Sequence, residues 1–259
     1  MDLDDELSDE ERRIELANIS EVKARLETAI NSEAKSFHKE YGFENFRDRR
    51  LNSSEESICG LRNSPRYELF FYLTGRQNTM DNNDIDLYIA DTLYNYAYSV
   101  VVDLSHVGPE GFTSLDRKAI EFGENAVSEA ESILLKSSPK NDFGKAYKNY
   151  SLGVIEVYRA EILVGDEGSK EEITDHLMKG IKFLEESVYQ NDTITYAKHK
   201  LYHSYNCIAS LDICSREIDN IRKKLRKFNQ KYPEIRKEDL RYLAEVDQKV
   251  EEARHSKKV

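Results

Sequence analysis

A chain of 259 residues is long enough to bury one large helical core or two small ones. At 39% hydrophobic and 34% charged, its composition excludes long apolar blocks and puts the hydrophobic residues into stripes. The net charge of −11, from 38 Lys/Arg against 49 Asp/Glu, argues against general duplex DNA binding, which needs a basic surface.

The charge is uneven. From Arg222 to Val259 there are 13 Lys/Arg and 7 Asp/Glu, a net of +6; the stretch from Met1 to Ile221 holds 25 and 42, a net of −17. Three cysteines, Cys59, Cys207 and Cys214, are too few and too scattered for a disulfide framework. Reduced thiols and a cytoplasmic setting are expected. The acidic start "MDLDDELSDEERR" lacks the apolar core of a signal peptide, and no apolar run reaches the ~18 residues of a membrane span.

In chain order, "SDEERRIELANISEVKARLETAINSEAKSFHKEYG" opens on Ser8 with Glu11 three residues on, the spacing of a capping box. Ile14, Val22, Leu26, Ile30 and Phe37 follow at helical intervals, and Gly42 stops the run. A short helix is expected from Pro65 to Gly75, by the preference for Pro at the start and Gly past the end. A longer one is expected from Asp84 to Leu104, with Asp84 as cap and Leu87, Ala90, Leu93, Tyr94, Ala97 and Val101 on one side. "SHVGPEGFTS" breaks it, and a helix from Leu115 to Lys136 follows. Four more helices follow within 141–165, 169–191, 193–212 and 215–233, with a last one from Arg236 to Arg254. No segment alternates convincingly with period two, so no sheet is expected. The fold class is all-α: about nine helices stacked as antiparallel hairpins, with residues 1–60 as an N-terminal cap and 61–259 as the array.

Several motif-like stretches have simpler accounts. "GDEGSKEE" lacks the spacing of a phosphate loop and follows a helix; Ser169 as a helix cap explains it. "DNNDIDLY" lacks the glycine and final glutamate of a calcium loop. His106, His176 and Cys59 stand isolated. His199, His203 and Cys207 share a helix face at i, i+4 and i+8, but Cys207 is too far from His199 to share one tetrahedral ion comfortably. No metal or cofactor is expected, and a metal-dependent enzyme is the least favoured reading.

"AIEFGENAV" (119–127) and "GIKFLEESV" (180–188) resemble the second helix of the tetratricopeptide repeat. Ala119 and Ala126, then Gly180, Leu184 and Ser187, stand at its small, large and small positions. Small residues there let neighbouring helices cross closely. A 34-residue period counted from Gly180 starts the next repeat near Thr195 and puts Leu201 and Tyr205 where the family has Leu and Tyr. Lys198, Tyr202 and Asp192 depart from the pattern, and the starts at Ala119 and Gly180 are separated by more than one period and less than two. The helix before Gly180 matches loosely, through Tyr147, Tyr150, Ser151 and Val154. The resemblance implies a right-handed α-solenoid whose first helices line a groove for a peptide or partner helix. Lys148, Tyr196, His199, His203 and Asn206 are its groove residues, with Cys207 beside them; a plain solvated face is the alternative. "RYLAEV" (241–246) is similar to a run in the 14-3-3 family, but it lies near the C-terminus and that family's phosphate-gripping cluster is not recognisable.

The helix ending in "RKKLRKFNQK" (222–231) is amphipathic. Ile218, Ile221, Leu225 and Phe228 turn inward, and Arg222, Lys223, Lys224, Arg226 and Lys227 face out. It either pairs with the acidic body or binds RNA, an acidic protein or an anionic surface. The leading functional expectation is a non-enzymatic interaction module, with nucleic-acid or anionic-surface binding as the alternative.

Overall fold

The computed structural model describes Ala24, Leu69, Tyr72, Leu73, Gly75, Arg76 and residues 79–104, 106–108, 111–114, 117–165, 168–210 and 216–237. The expected N-terminal cap (Ala24 apart), the start at Pro65, the helix beyond Lys237, "RYLAEV", Cys59 and Cys214 lie outside the described residues. Six long helices and one hairpin are described: α1 (Asn82–Leu104), β1 (His106–Gly108), β2 (Gly111–Ser114), α2 (Arg117–Lys136), α3 (Asp142–Gly165), α4 (Lys170–Gln190), α5 (Thr195–Ser210) and α6 (Arg216–Lys231). No described helix is long and apolar enough to cross a membrane.

The hairpin departs from the expectation of no sheet. β1 and β2 pair antiparallel, with Gly108 opposite Gly111 at the closed end and a register shift next to His106. Strands of three and four residues are too short for alternation to register. The regular structure of the described residues is otherwise helical, as the all-α expectation has it.

Two compact units divide the chain: Met1–Ala97 with Asn125–Lys140, and Tyr98–Glu124 with Asn141–Val259. In the first, Leu69, Leu73, Leu87, Tyr88, Ala90 and Ala97 are buried, as are Ala126, Val127, Ala130 and Leu134. The N-terminus of α1 corrects a second expectation. Its cap is Asp81, whose carboxylate accepts from the backbone N–H groups of Asn83 and Asp84. Asp84 plays the reciprocal part and accepts from the Asp81 backbone N–H at 3.0 Å. Its buried carboxylate also accepts from the Tyr72 hydroxyl at 3.0 Å and Arg76 Nε at 3.4 Å. The Ser138 backbone N–H donates to Asn83 Oδ1, which brings the end of α2 beside the start of α1.

In the second unit each helix from α3 to α6 packs on the next, and α3 also touches α5 and β2. Asn141 caps α3 by accepting from the Gly144 N–H. Ser169 caps α4 through a capping box with Glu172, as expected. The α3–α4 seam is tight because glycine meets glycine. A Cβ on Gly153 would lie 2.6 Å from Leu184 Cγ, and one on Gly180 would lie 3.1 Å from the Gly153 carbonyl. Gly180 and Leu184 are buried at this seam, and Ser187 on the same helix is buried too. The α5–α6 seam is filled differently. Phe228 stacks on Tyr202 at 6.2 Å and meets Tyr205 edge-on at 5.9 Å and Tyr232 at 4.9 Å.

Candidate functional site

The amphipathic spacing of α5 settles which way its side chains turn. Ala197, Leu201, Tyr205 and Ile208 form the buried stripe, as the sequence implies, and Tyr202 and Ser204 are buried with them. The expected groove residues lie off that stripe. His203 is exposed, and Tyr196, His199, Asn206 and Cys207 are half-buried. Asn206 Nδ2 bonds back to the Tyr202 carbonyl at 3.1 Å. Cys207 Sγ lies 3.5 Å from His203 Nε2. Burial pushes the Cys207 thiol above its ordinary value, with Glu161 adding to the shift and Lys200 opposing it, so the thiol form is favoured. Among the described residues, no group of three or more His, Cys, Asp or Glu is placed to hold a metal ion.

On α3 the expected groove residue Lys148 is half-buried, and desolvation holds its ammonium below the ordinary lysine value. One and two turns further on, Leu152, Ile155 and Glu156 are buried. The accessible part of the candidate site therefore rests mainly on α5.

Two charged rungs tie alternate helices together. Lys200 on α5 reaches Glu161 on α3 at 3.1 Å, and Lys224 on α6 reaches Glu185 on α4 at 2.6 Å. Each pair is 39 residues apart. Glu185 also accepts from the Tyr205 hydroxyl at 2.6 Å, so one carboxylate links α4, α5 and α6. Burial first, and then this hydrogen bond, push the Tyr205 phenol well above its ordinary value.

His176, which stands isolated in the sequence, has a partner in the fold. Its Nδ1 lies 2.7 Å from Glu156 Oε2, and Arg159 Nη1 donates to Glu156 Oε1 at 3.2 Å. The Glu156 carboxylate is nearly enclosed, with 7% of its side chain exposed. A carboxylate buried so deeply demands partners: Arg159 supplies one from α3 itself, and His176 supplies the other across the α3–α4 seam. Sequence reasoning missed this group because Glu156 and His176 stand twenty residues apart on different helices. The equal separation of the two Glu–Lys rungs is a signal that the sequence does carry.

The basic residues of α6 divide into two sets. Arg222 donates to the Ala209 carbonyl and pairs with Asp219, and Lys224 pairs with Glu185. Lys223, Arg226 and Lys227 form no ion pair among the described residues. Compared with protein-family models, curated proteins and solved structures, the chain matches none of them.

Proposed function

We propose that the chain is a non-enzymatic interaction scaffold. In this reading it is a divergent, tetratricopeptide-like, right-handed stack of helical hairpins working in the cytoplasm, and it holds a peptide or partner helix against the outer face of α5. The observation that carries the reading is the two-sidedness of α5: a stripe of Ala197, Leu201, Tyr205 and Ile208 at 4% exposure or less, opposite a polar and aromatic face of Tyr196, His199, His203 and Asn206 that reaches solvent. The matched rungs Glu161–Lys200 and Glu185–Lys224 support a regular stack, since each ties a helix to the next but one at the same sequence separation. The glycine contact between α3 and α4 supports it too. A rigid face of this kind presents side chains without an ordering cost on binding, which is how repeat scaffolds gain affinity.

Selection of phage-displayed peptides on the wild-type chain tests this. A selected peptide should lose at least tenfold in affinity for a variant carrying His199→Ala, His203→Glu and Asn206→Ala, while circular dichroism stays unchanged. Failure to select any peptide, or equal affinity for the variant, overturns the reading.

A further inference from the structure

We infer that the solvent face of α6 is a second, separate docking surface, and that its partner is a short acidic protein segment. Asn220, Lys223, Lys227 and Gln230 follow one another at i, i+3, i+7 and i+10, a single stripe along the helix with Arg226 beside it. All five side chains are exposed. They line a shallow depression of about 320 Å³ together with Lys224. Lys224 is held by Glu185, whereas Lys223, Arg226 and Lys227 have no ion-pair partner among the described residues.

The geometry selects among polyanions. The opposite face of α6 is spent on packing: Ile218, Ile221 and Phe228 are buried, and Phe228 is stacked among Tyr202, Tyr205 and Tyr232. No apolar face of this helix is left to enter a bilayer interface, which is what holds an amphipathic helix to a membrane. No aromatic ring lies among the exposed stripe residues, so bases of a single strand have no stacking platform there. Ten residues of helix measure about 15 Å. That is under half of the ~34 Å turn of a duplex. Three such cations also fall short of the six to ten phosphate contacts that anchor typical duplex binders. A segment of about five residues spans 15 Å when extended at ~3.3 Å per residue. Alternate carboxylates along it fall about 6.6 Å apart, close to the 5–6 Å spacing of side chains one helical turn apart. The Asn220 and Gln230 amides bracket the cations and can both donate to and accept from its backbone.

The test is fluorescence anisotropy of the full chain with a labelled, end-capped peptide of six glutamates. Binding at 25 mM salt that weakens about tenfold or more by 200 mM, and is lost in Lys223→Glu/Arg226→Glu/Lys227→Glu, is the expected result. A Lys223→Gln/Lys227→Gln variant should lose affinity by a smaller factor, which guards against misfolding of the charge-reversed chain. The His199→Ala/His203→Glu/Asn206→Ala variant should bind the peptide as the wild type does, which separates this surface from the α5 face. No binding at low salt, or undiminished binding by the charge-reversed variant, overturns the inference. So does tighter, stripe-dependent binding to duplex DNA or to vesicles of one part phosphatidylserine to two parts phosphatidylcholine.

Discussion

The α3–α4 and α5–α6 seams solve one packing problem in opposite ways. Between α3 and α4 the backbones nearly touch, because Gly153 and Gly180 leave no side chain between them, and Leu184 fills the remaining space. Between α5 and α6 the helices stand around a bulky centre, Phe228, with Tyr202, Tyr205 and Tyr232 about its ring. Small residues set the first seam, whereas at the second the buried Tyr202 is itself large and stacks on Phe228 from the facing helix.

The comparison predicts opposite mutational profiles. At the aromatic seam, truncation is the damaging change. Phe228→Ala removes a ring that is 7% exposed and in contact with three others, and it should destabilise the chain by roughly 3–5 kcal/mol. At about 2–4 °C per kcal/mol for a chain of this size, the melting temperature should fall by roughly 6–20 °C. A calorimetric shift under ~2 °C would mean that the ring is not central to the seam.

At the glycine seam, enlargement is the damaging change. Gly153→Ala gains about 1 kcal/mol of helix propensity in isolation. The new methyl would sit 2.6 Å from Leu184 Cγ and 3.2 Å from the Gly180 carbonyl, and Leu184 is fully buried with little room to withdraw. Overpacking of this kind costs roughly 1–3 kcal/mol, so the net effect should be a loss of up to about 2 kcal/mol in chemical denaturation. An alanine that stabilises would show the seam to be looser than its distances indicate.

The two seams also differ in how far the sequence reveals them. The small-large-small spacing at Gly180, Leu184 and Ser187 marks one side of the α3–α4 contact in the sequence alone. Its other side, Gly153, is hidden because the preceding helix fits the pattern only loosely. The inward turn of Phe228 is legible from the amphipathic spacing of α6, but its three aromatic neighbours are not, since they come from α5 and from beyond the end of α6. The Glu156–His176 contact is invisible for a related reason: it joins residues of two helices, although Glu156 and Arg159 stand at i, i+3 on one of them. The β1–β2 hairpin escapes because strands so short carry no period. The candidate surface is more legible, because exposure on a helix follows from its stripe: His203, Lys223, Arg226 and Lys227 lie off the buried positions and are exposed.

Alkaline titration separates the seams again, because Tyr205 belongs to the second alone. Its folded pKa is raised, by burial and then by Glu185, so the folded state holds the phenol proton more tightly than the unfolded chain does. That contribution is fully present below the unfolded value of about 10 and is lost as pH climbs from there toward the folded value. Between pH 10 and 11 one such tyrosine accounts for at most about 1.4 kcal/mol of lost stability per pH unit. Tyr158 on α3 is also raised, chiefly by burial, and adds its own slope. Tyr205→Phe should therefore flatten, but not abolish, the fall in urea midpoint across this range. An unchanged slope would show that Tyr205 does not report on folding.

The smallest effect is expected where a bond looks strongest. Lys224 lies 2.6 and 2.8 Å from the two Glu185 oxygens, yet the side chains are 39% and 30% exposed. Water screens a pair so placed, and the long lysine chain loses entropy on being held. Glu185 keeps the Tyr205 hydroxyl when Lys224 is gone. Lys224→Ala should therefore cost under about 1 kcal/mol, and the cost should shrink further at 0.5 M salt. Lys200→Ala, which breaks the matching rung to Glu161 at similar exposure, should behave alike. If one rung proves worth several kcal/mol and the other nothing, the two are not equivalent struts, and the regular offset that they share would no longer argue for a repeating stack.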